Sequence, residues 1–185
     1  MRLKSTYLGT VYQFSSLKDL FAKANEEKSG DRLAGIAAET VQERIAAKQV
    51  LSYLTLQDIR ENPMLSPEED EVSRIIEGQI NNPIYQSIKN WSVSELREYI
   101  LNDTTTGEDL KRLSRGLNSE MIAAVAKIMS NLDLVHAANK IEVLSKCNIT
   151  IGQKGVLASR LQPNHPTDNV DGMMASMKEG LAYGI

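Results

Sequence analysis

The chain has 185 residues, 42% hydrophobic and 24% charged, an ordinary composition for one folded domain or a domain with part of another. Its formal net charge of −3 gives no basic field, which argues against nucleic acid as a partner. The single cysteine, Cys147, excludes an internal disulfide and suits a reducing cytoplasm, and no apolar run approaches the roughly 20 residues a membrane helix needs. Arg2 and Lys4 have no apolar signal core behind them, so the expectation is a cytoplasmic protein that spans no membrane.

Residues 2–14 alternate loosely and predict a short hairpin turning at Leu8-Gly9. Ser16 followed by Asp19 caps a helix carrying Leu17, Leu20, Phe21 and Ala24, with Gly30 as its stop. Asp31 opens a longer helix, on which Leu33, Ile36, Val41, Ile45, Val50, Leu51 and Leu54 recur at helical spacing. The small residues Ala34, Gly35, Ala37, Ala38, Ala46 and Ala47 let a neighbour approach closely, so this helix is expected at the centre of the packing. Thr55 and Asp58 begin a short helix that ends before Pro63. Ser66-Pro67-Glu68-Glu69 reads as the next helix start, with a stripe of Val72, Ile75, Ile76 and Ile80 behind it.

Asn81-Asn82-Pro83 breaks that helix, and Ile84, Tyr85 and Ile88 ride on another. Ser92 and Glu95 form a capping box ahead of Leu96, Tyr99 and Ile100, with Trp91 as an anchor between helices. Residues 102–107 are a loop, and a helix runs from Glu108 to Gly116. Asn118-Ser119-Glu120 caps a helix expected to bury Ile122, Val125, Ala126, Ile128 and Met129, and a further turn or two follows from Asn131 to Asn139. Residues 15–139 are thus mostly helix in short, capped pieces.

The character changes at Thr150. Residues 150–164 read as a buried strand, in which Val156, Ala158, Arg160 and Gln162 share one face and Leu157, Ser159 and Leu161 take the other. Pro163 cannot donate to a ladder and ends it. A strand apolar at its base and polar at its C-terminal tip is what an active-site barrel or doubly wound sheet displays. The same pattern also fits an edge strand whose Arg and Gln face water. Thr167-Asp168 then starts a helix carrying Val170, Met173, Met174, Met177 and Leu181, the methionines reading as helix core. One strand and one helix make half of a βαβ unit, and nothing earlier offers a partner strand. The chain therefore reads as part of a larger polypeptide, or as one that completes its sheet with another.

Chemistry-bearing motifs are few. His136, His165 and Cys147 stand far apart without metal-ligand spacing, so no protein-built metal site is expected. Ile151-Gly152-Gln153-Lys154-Gly155 lacks GK[ST] and precedes its strand, unlike a phosphate loop. Arg160 and Gln162 remain: two residues apart on a strand they stand about 6–7 Å apart on one face, within reach of one small ligand. A carboxamide hydrogen-bonds both a hydroxyl and an amine, and a guanidinium beside it donates to an oxygen.

Several blocks, among them Val11-Tyr12-Gln13-Phe14, Gln42-Glu43-Arg44-Ile45-Ala46-Ala47-Lys48, Lys89-Asn90-Trp91-Ser92-Val93-Ser94-Glu95-Leu96-Arg97 and Ser159-Arg160-Leu161-Gln162-Pro163-Asn164, resemble the large subunit of ethanolamine ammonia-lyases. The resemblance runs from Met1 to Ile185 and covers well under half of that family's subunit. It implies an α/β architecture: a mostly helical region with an N-terminal hairpin over 1–149, then the first strand and helix of a TIM-type (β/α)8 barrel over 150–185, truncated. It implies adenosylcobalamin as cofactor, ethanolamine as substrate, a small subunit and further large subunits as partners, and a cytoplasmic setting, in many members inside a bacterial microcompartment. By resemblance Arg160 and Gln162 contact the substrate, with Ala158-Ser159 standing where the family commonly has Ser-Ala. The family's carboxylate ligands and main cobalamin contacts fall beyond Ile185, so this piece is expected to be inactive alone and to hold no catalytic, cofactor or metal ligand of its own. The competing reading is a non-catalytic helical scaffold or subunit-assembly module built on residues 15–139.

Overall fold

The structure is a computed structural model that describes residues 1–66, 68–146, 150–164 and 166–184. The chain is mostly helical with a few short strands, in two compact units, Met1–Ile141 and Glu142–Ile185. Among the described residues no helix is long and apolar enough to cross a membrane.

The first unit opens on β1 (Lys4–Tyr7) and β2 (Thr10–Gln13), an antiparallel hairpin with Tyr7 opposite Thr10. Leu8 and Gly9 turn it with φ of 49° and 81°, the paired positive angles that a two-residue hairpin turn demands. The Ser16 hydroxyl caps α1 (Leu17–Lys23) by accepting the Asp19 N–H at 3.1 Å. That helix ends before Asn25, and Gly30 lies inside the next one, α2 (Ser29–Leu33).

The single helix expected from Asp31 is in fact two. Gly35, at φ 69°, donates to the Arg32 carbonyl, while the Ile36 N–H reaches the Asp31 carbonyl, both at 3.0 Å. This is a Schellman closure, and it satisfies the last carbonyls of α2 before the apolar spacing can continue through Ile36. A fresh helix, α3 (Val41–Tyr53), starts where the Thr40 hydroxyl accepts the Glu43 N–H. Its Ala46, Ala47, Val50 and Leu51 are buried, so the expected central helix exists but is shorter, and only the second group of small residues lies within it. It packs against β1, α1, α7 (Val93–Leu101) and α9 (Ser119–Ile128).

Two helix starts meet beside it. Thr55 caps α4 (Leu56–Glu61) in a full capping box with Asp58, and Ser92 caps α7 in another with Glu95. The two caps form an antiparallel bridge, in which Leu56 N–H donates to the Trp91 carbonyl and Val93 N–H to the Leu54 carbonyl, each at 2.9 Å. Leu56, Ile59, Val93 and Leu96 are fully buried around the joint. Each such side chain contributes about 1.5–3 kcal/mol on burial. Trp91, expected to be a buried anchor between helices, is only half-buried, and it tilts against Tyr99 at 5.1 Å between centroids.

Between these joints lie α6 (Asn82–Ile88), α8 (Gly107–Ser114) and α10 (Asn131–Lys140). The boxes recur: Thr106 with Asp109 starts α8, and Ser130 with Asp133 starts α10. The Lys140 ammonium closes α7 by donating to the carbonyls of Ile100 and Asn102. Gly116 sits against α6 so closely that a Cβ there would lie 2.7 Å from Ile84 Cγ2 and 2.9 Å from the Tyr85 nitrogen.

Two further expectations are corrected. Ser66 makes a turn, accepting the Glu69 and Asp70 amides on its carbonyl, and Asp70 caps α5 (Glu71–Gly78), which therefore starts later; Pro67 lies outside the described residues. Its stripe residues Val72 and Ile75 are exposed, and only Ile80 beyond its end is buried. On α9 the buried side is Met121, Ala124 and Val125, with Met129 just past the end, while Ile122 is exposed. Val125 and Met129 are thus buried as expected and Ala126 and Ile128 are half-buried, while Ile122 gives its expected place to Met121 and Ala124, since burial falls on i, i+3 and i+4 from Met121.

In the second unit, β3 (Ser145–Lys146) and β4 (Thr150–Ile151) form a two-residue antiparallel pair, and Asn169 caps α11 (Val170–Ala182). Residues 156–162 form no strand, and Val156 to Arg160 are exposed, so the buried strand expected there is corrected. A strand exists by virtue of a ladder, and no described strand lies beside this one. Of the α11 stripe, Val170, Met174, Met177 and Leu181 are exposed and only Met173 is half-buried. Cys147 and His165 lie outside the described residues.

Gly116→Ala should destabilise the protein by about 1–3 kcal/mol, because the clash involves backbone that cannot shift freely; an unchanged urea midpoint would refute the close approach. Asp133 accepts from both Arg97, at 2.7 Å, and its own cap, and the Arg97 guanidinium first, then the Ser130 N–H, hold its carboxyl below the usual aspartate range. A carboxyl lowered by folding stabilises at pH above its unfolded value, about 3.9, and that stabilisation is lost as pH falls through the lower folded value. Asp133→Asn should therefore unfold at lower urea at neutral pH, and the deficit should shrink at acid pH. A deficit independent of pH would show that the charge is immaterial.

Candidate substrate-contacting pair

The second unit places the two predicted site residues together. Arg160 Nη2 donates to Gln162 Oε1 at 3.4 Å, so both side chains lie on the same side of the chain. Between them Leu161 turns the other way, against α11, so closely that a Cβ on Gly180 would overlap it. Alternation thus works locally without a ladder: the apolar residue is taken up by the helix and its polar neighbours are left outward. Immediately after, the Asn164 N–H returns to the Gln162 carbonyl at 2.9 Å, a tight bend that fits the prolines at 163 and 166. Upstream, Gly152 and Gly155 take φ of 91° and 79°, and a Cβ on Gly152 would meet the Val143 carbonyl, so the Ile151–Gly155 stretch is a tight turn leaving β4.

Arg160 and Gln162 are both exposed. Their chemistry is that of a small polar clamp: five guanidinium donors beside a carboxamide that both donates and accepts. Such a pair can hold an oxygen and an amine on one molecule. It does not fit the enclosure of a corrin ring, which needs a broad sheltered surface, and no step through a cobalamin is derived from these residues.

In the first unit the structure shows a feature that sequence reasoning missed. Glu120, in the first turn of α9, accepts the Met64 N–H at 2.8 Å across 56 positions, and Arg60 bonds Glu77 at 2.6 Å while lying 4.1 Å over the Tyr85 ring. Local spacing carries no signal for bonds of that separation. The phenol of Tyr85 is pushed up from its usual range by burial, against the opposing pull of Arg60.

The family described as "Ethanolamine ammonia lyase large subunit (EutB)" matches residues 12–185. The chain is 52% identical over 185 residues to the ethanolamine ammonia-lyase large subunit of Escherichia coli K12, which covers 100% of this chain and 41% of that protein. It is 52% identical over 184 residues to the same subunit of Salmonella typhimurium LT2, again with 100% and 41% covered. The chain thus spans well under half the length of these curated relatives. Similarity of that extent, running from end to end of the chain, is membership: the chain belongs to the ethanolamine ammonia-lyase large-subunit family.

Proposed function

We propose that the chain is the N-terminal part of the large catalytic subunit of an adenosylcobalamin-dependent ethanolamine ammonia-lyase, which converts ethanolamine to acetaldehyde and ammonia. The observation that carries this reading is the 52% identity maintained over all 185 residues. Residues 1–149 are then a helical region and 150–185 the first βα unit of a TIM-type barrel, with Val156 to Gln162 its first strand. That strand acquires its ladder from neighbouring strands in the rest of the subunit, and the exposed stripe of α11 is covered by the units beside it. Further large subunits, the small subunit and a cytoplasmic location, inside a microcompartment, complete the proposal.

In this reading Arg160 and Gln162 come to the barrel mouth, on its inward face, where a strand's C-terminal end carries function. Gln162 holds the substrate's hydroxyl and amine through its carboxamide, and Arg160 donates to the oxygen. Adenosylcobalamin would supply the radical chemistry in the complete enzyme, and the residues of this chain would not hold it. What the pair contributes is orientation. A bound amino alcohol fixed at both ends would present one carbon for reaction and could not tumble. The piece alone lacks the remaining ligands and is inactive.

In the full-length subunit, Arg160→Ala and Gln162→Ala should each lower kcat/KM for ethanolamine about 10- to 100-fold, the loss of one hydrogen bond to a polar substrate. Arg160→Lys should recover little, since an ammonium cannot reproduce the guanidinium fork. Turnover unchanged in Arg160→Ala would favour the scaffold reading, in which residues 15–139 act through subunit contacts alone.

A further inference from the structure

Helix α5 lies at the edge of the first unit, with Val72 and Ile75 exposed and few contacts to the core. Two carboxylates tie this edge of the unit, Glu77 on α5 itself and Glu120 through the loop that leads into it. At its far end Glu77 takes the Arg60 guanidinium of α4, which also reaches Asn82 of α6. On its near side the backbone of Met64 donates to Glu120 of α9. Between these ties is a cavity of about 260 Å3, lined by Arg60, Ser73, Ile76 and Glu77 on one side and Asn118 and Glu120 on the other.

The second tie is unusual. Glu120 Oε1 has its donor, but Oε2 is buried and has no hydrogen-bond partner. A buried ionised oxygen without a donor is costly, and a neutral one much less so. The charged groups lining the cavity with Glu120 are Arg60 and Glu77; Arg60 is spent on Glu77, so it leaves Glu120 no cation of its own. We propose that the loop at Met64 and α5, which follows it, form a strap, closed over this cavity while Glu120 is protonated and loosened when Glu120 ionises. Burial first, and then Glu77, hold the Glu120 carboxyl above the usual glutamate range, with the Met64 N–H pulling the other way. The sign follows: a carboxyl raised in the closed state stabilises closure below the ordinary glutamate value, and that stabilisation fades as pH rises through the higher value.

Glu120→Gln removes the charge, keeps an oxygen for the Met64 N–H and preserves shape. Hydrogen–deuterium exchange of the full-length subunit reads the strap directly, with the buried amides of α3 as internal control. In the wild type, protection of α5, corrected for the intrinsic pH dependence of exchange, should fall several-fold between about pH 5 and about pH 8. In Glu120→Gln it should stay at the high level throughout. Glu120→Ala, which loses the Met64 tie but keeps that of Glu77 to Arg60, should lower the protection of α5 at every pH while α3 is unaffected. Equal α5 exchange in wild type and Glu120→Gln, retained protection in Glu120→Ala, or changes that spread equally to α3 would each overturn the strap.

Discussion

The joint between Thr55 and Ser92 is the constraint on which the first unit depends. Each residue is the cap of its own helix, each box is closed by an acid three positions on, and the two caps bridge each other through backbone hydrogen bonds. The arrangement consumes donors that the first turns of α4 and α7 would otherwise leave unpaired. It also sets the two helices side by side, with Leu54, Leu56, Val93 and Leu96 shut beneath the joint. α3 packs against α7, and its Ala46 and Ala47 are fully buried in the core, where a larger side chain would have to displace its neighbours. Apolar burial supplies the free energy, and the caps decide where each helix begins and hence which residues are buried.

That division explains what could be read in advance. Caps are local, so Ser16, Thr55, Ser92 and Asn118 were legible as helix starts from a few neighbouring residues. The hairpin turn at Leu8-Gly9 was legible for the same reason. Stops were harder. Apolar spacing runs through Ile36 as if α2 continued, and only the left-handed backbone at Gly35 ends it. A glycine is compatible with both outcomes, and so Gly30 and Gly35 were assigned the wrong roles. At Ser66 the cap was placed too early because Ser66 and Asp70 both offer the right chemistry, and the chain uses one for a turn and the other for the helix.

The candidate pair shows a different limit. That Arg160 and Gln162 share a side could be read from alternation, and the 3.4 Å contact between them agrees. Alternation cannot state whether a ladder exists, because a ladder belongs to two segments and only one was in view. Residues 156–162 carry the right side chains for a strand and find no neighbouring strand among the described residues, so Val156 and Leu157 stay exposed. Leu161 alone is taken up, by Gly180, and this single contact suffices to leave its two polar neighbours on the outer side. The proximity of these two side chains is thus less dependent on a ladder than the strand expected to produce it.

The carboxylates of the first unit sharpen the same distinction between local and distant information. Asp58, Glu95, Asp109 and Asp133 all stand three residues after a hydroxyl cap and fold back onto it. For Glu95, Asp109 and Asp133, hydrogen bonds draw the carboxyl below its usual range. Glu120 looks like one of them in sequence, two residues after Asn118, yet it lies one position short of the box, where Met121 stands instead. Asn118 meets the Met121 N–H by itself, at 2.9 Å. Glu120 is therefore excused from capping, turns its carboxyl toward Met64, and is half-buried with its Oε2 sheltered and unanswered. One position along the helix separates an acid stabilised by its charge from one penalised by it. That offset makes Glu120 the acid of this unit whose ionisation opposes the fold it holds, and a tie with that property yields where the boxed acids do not.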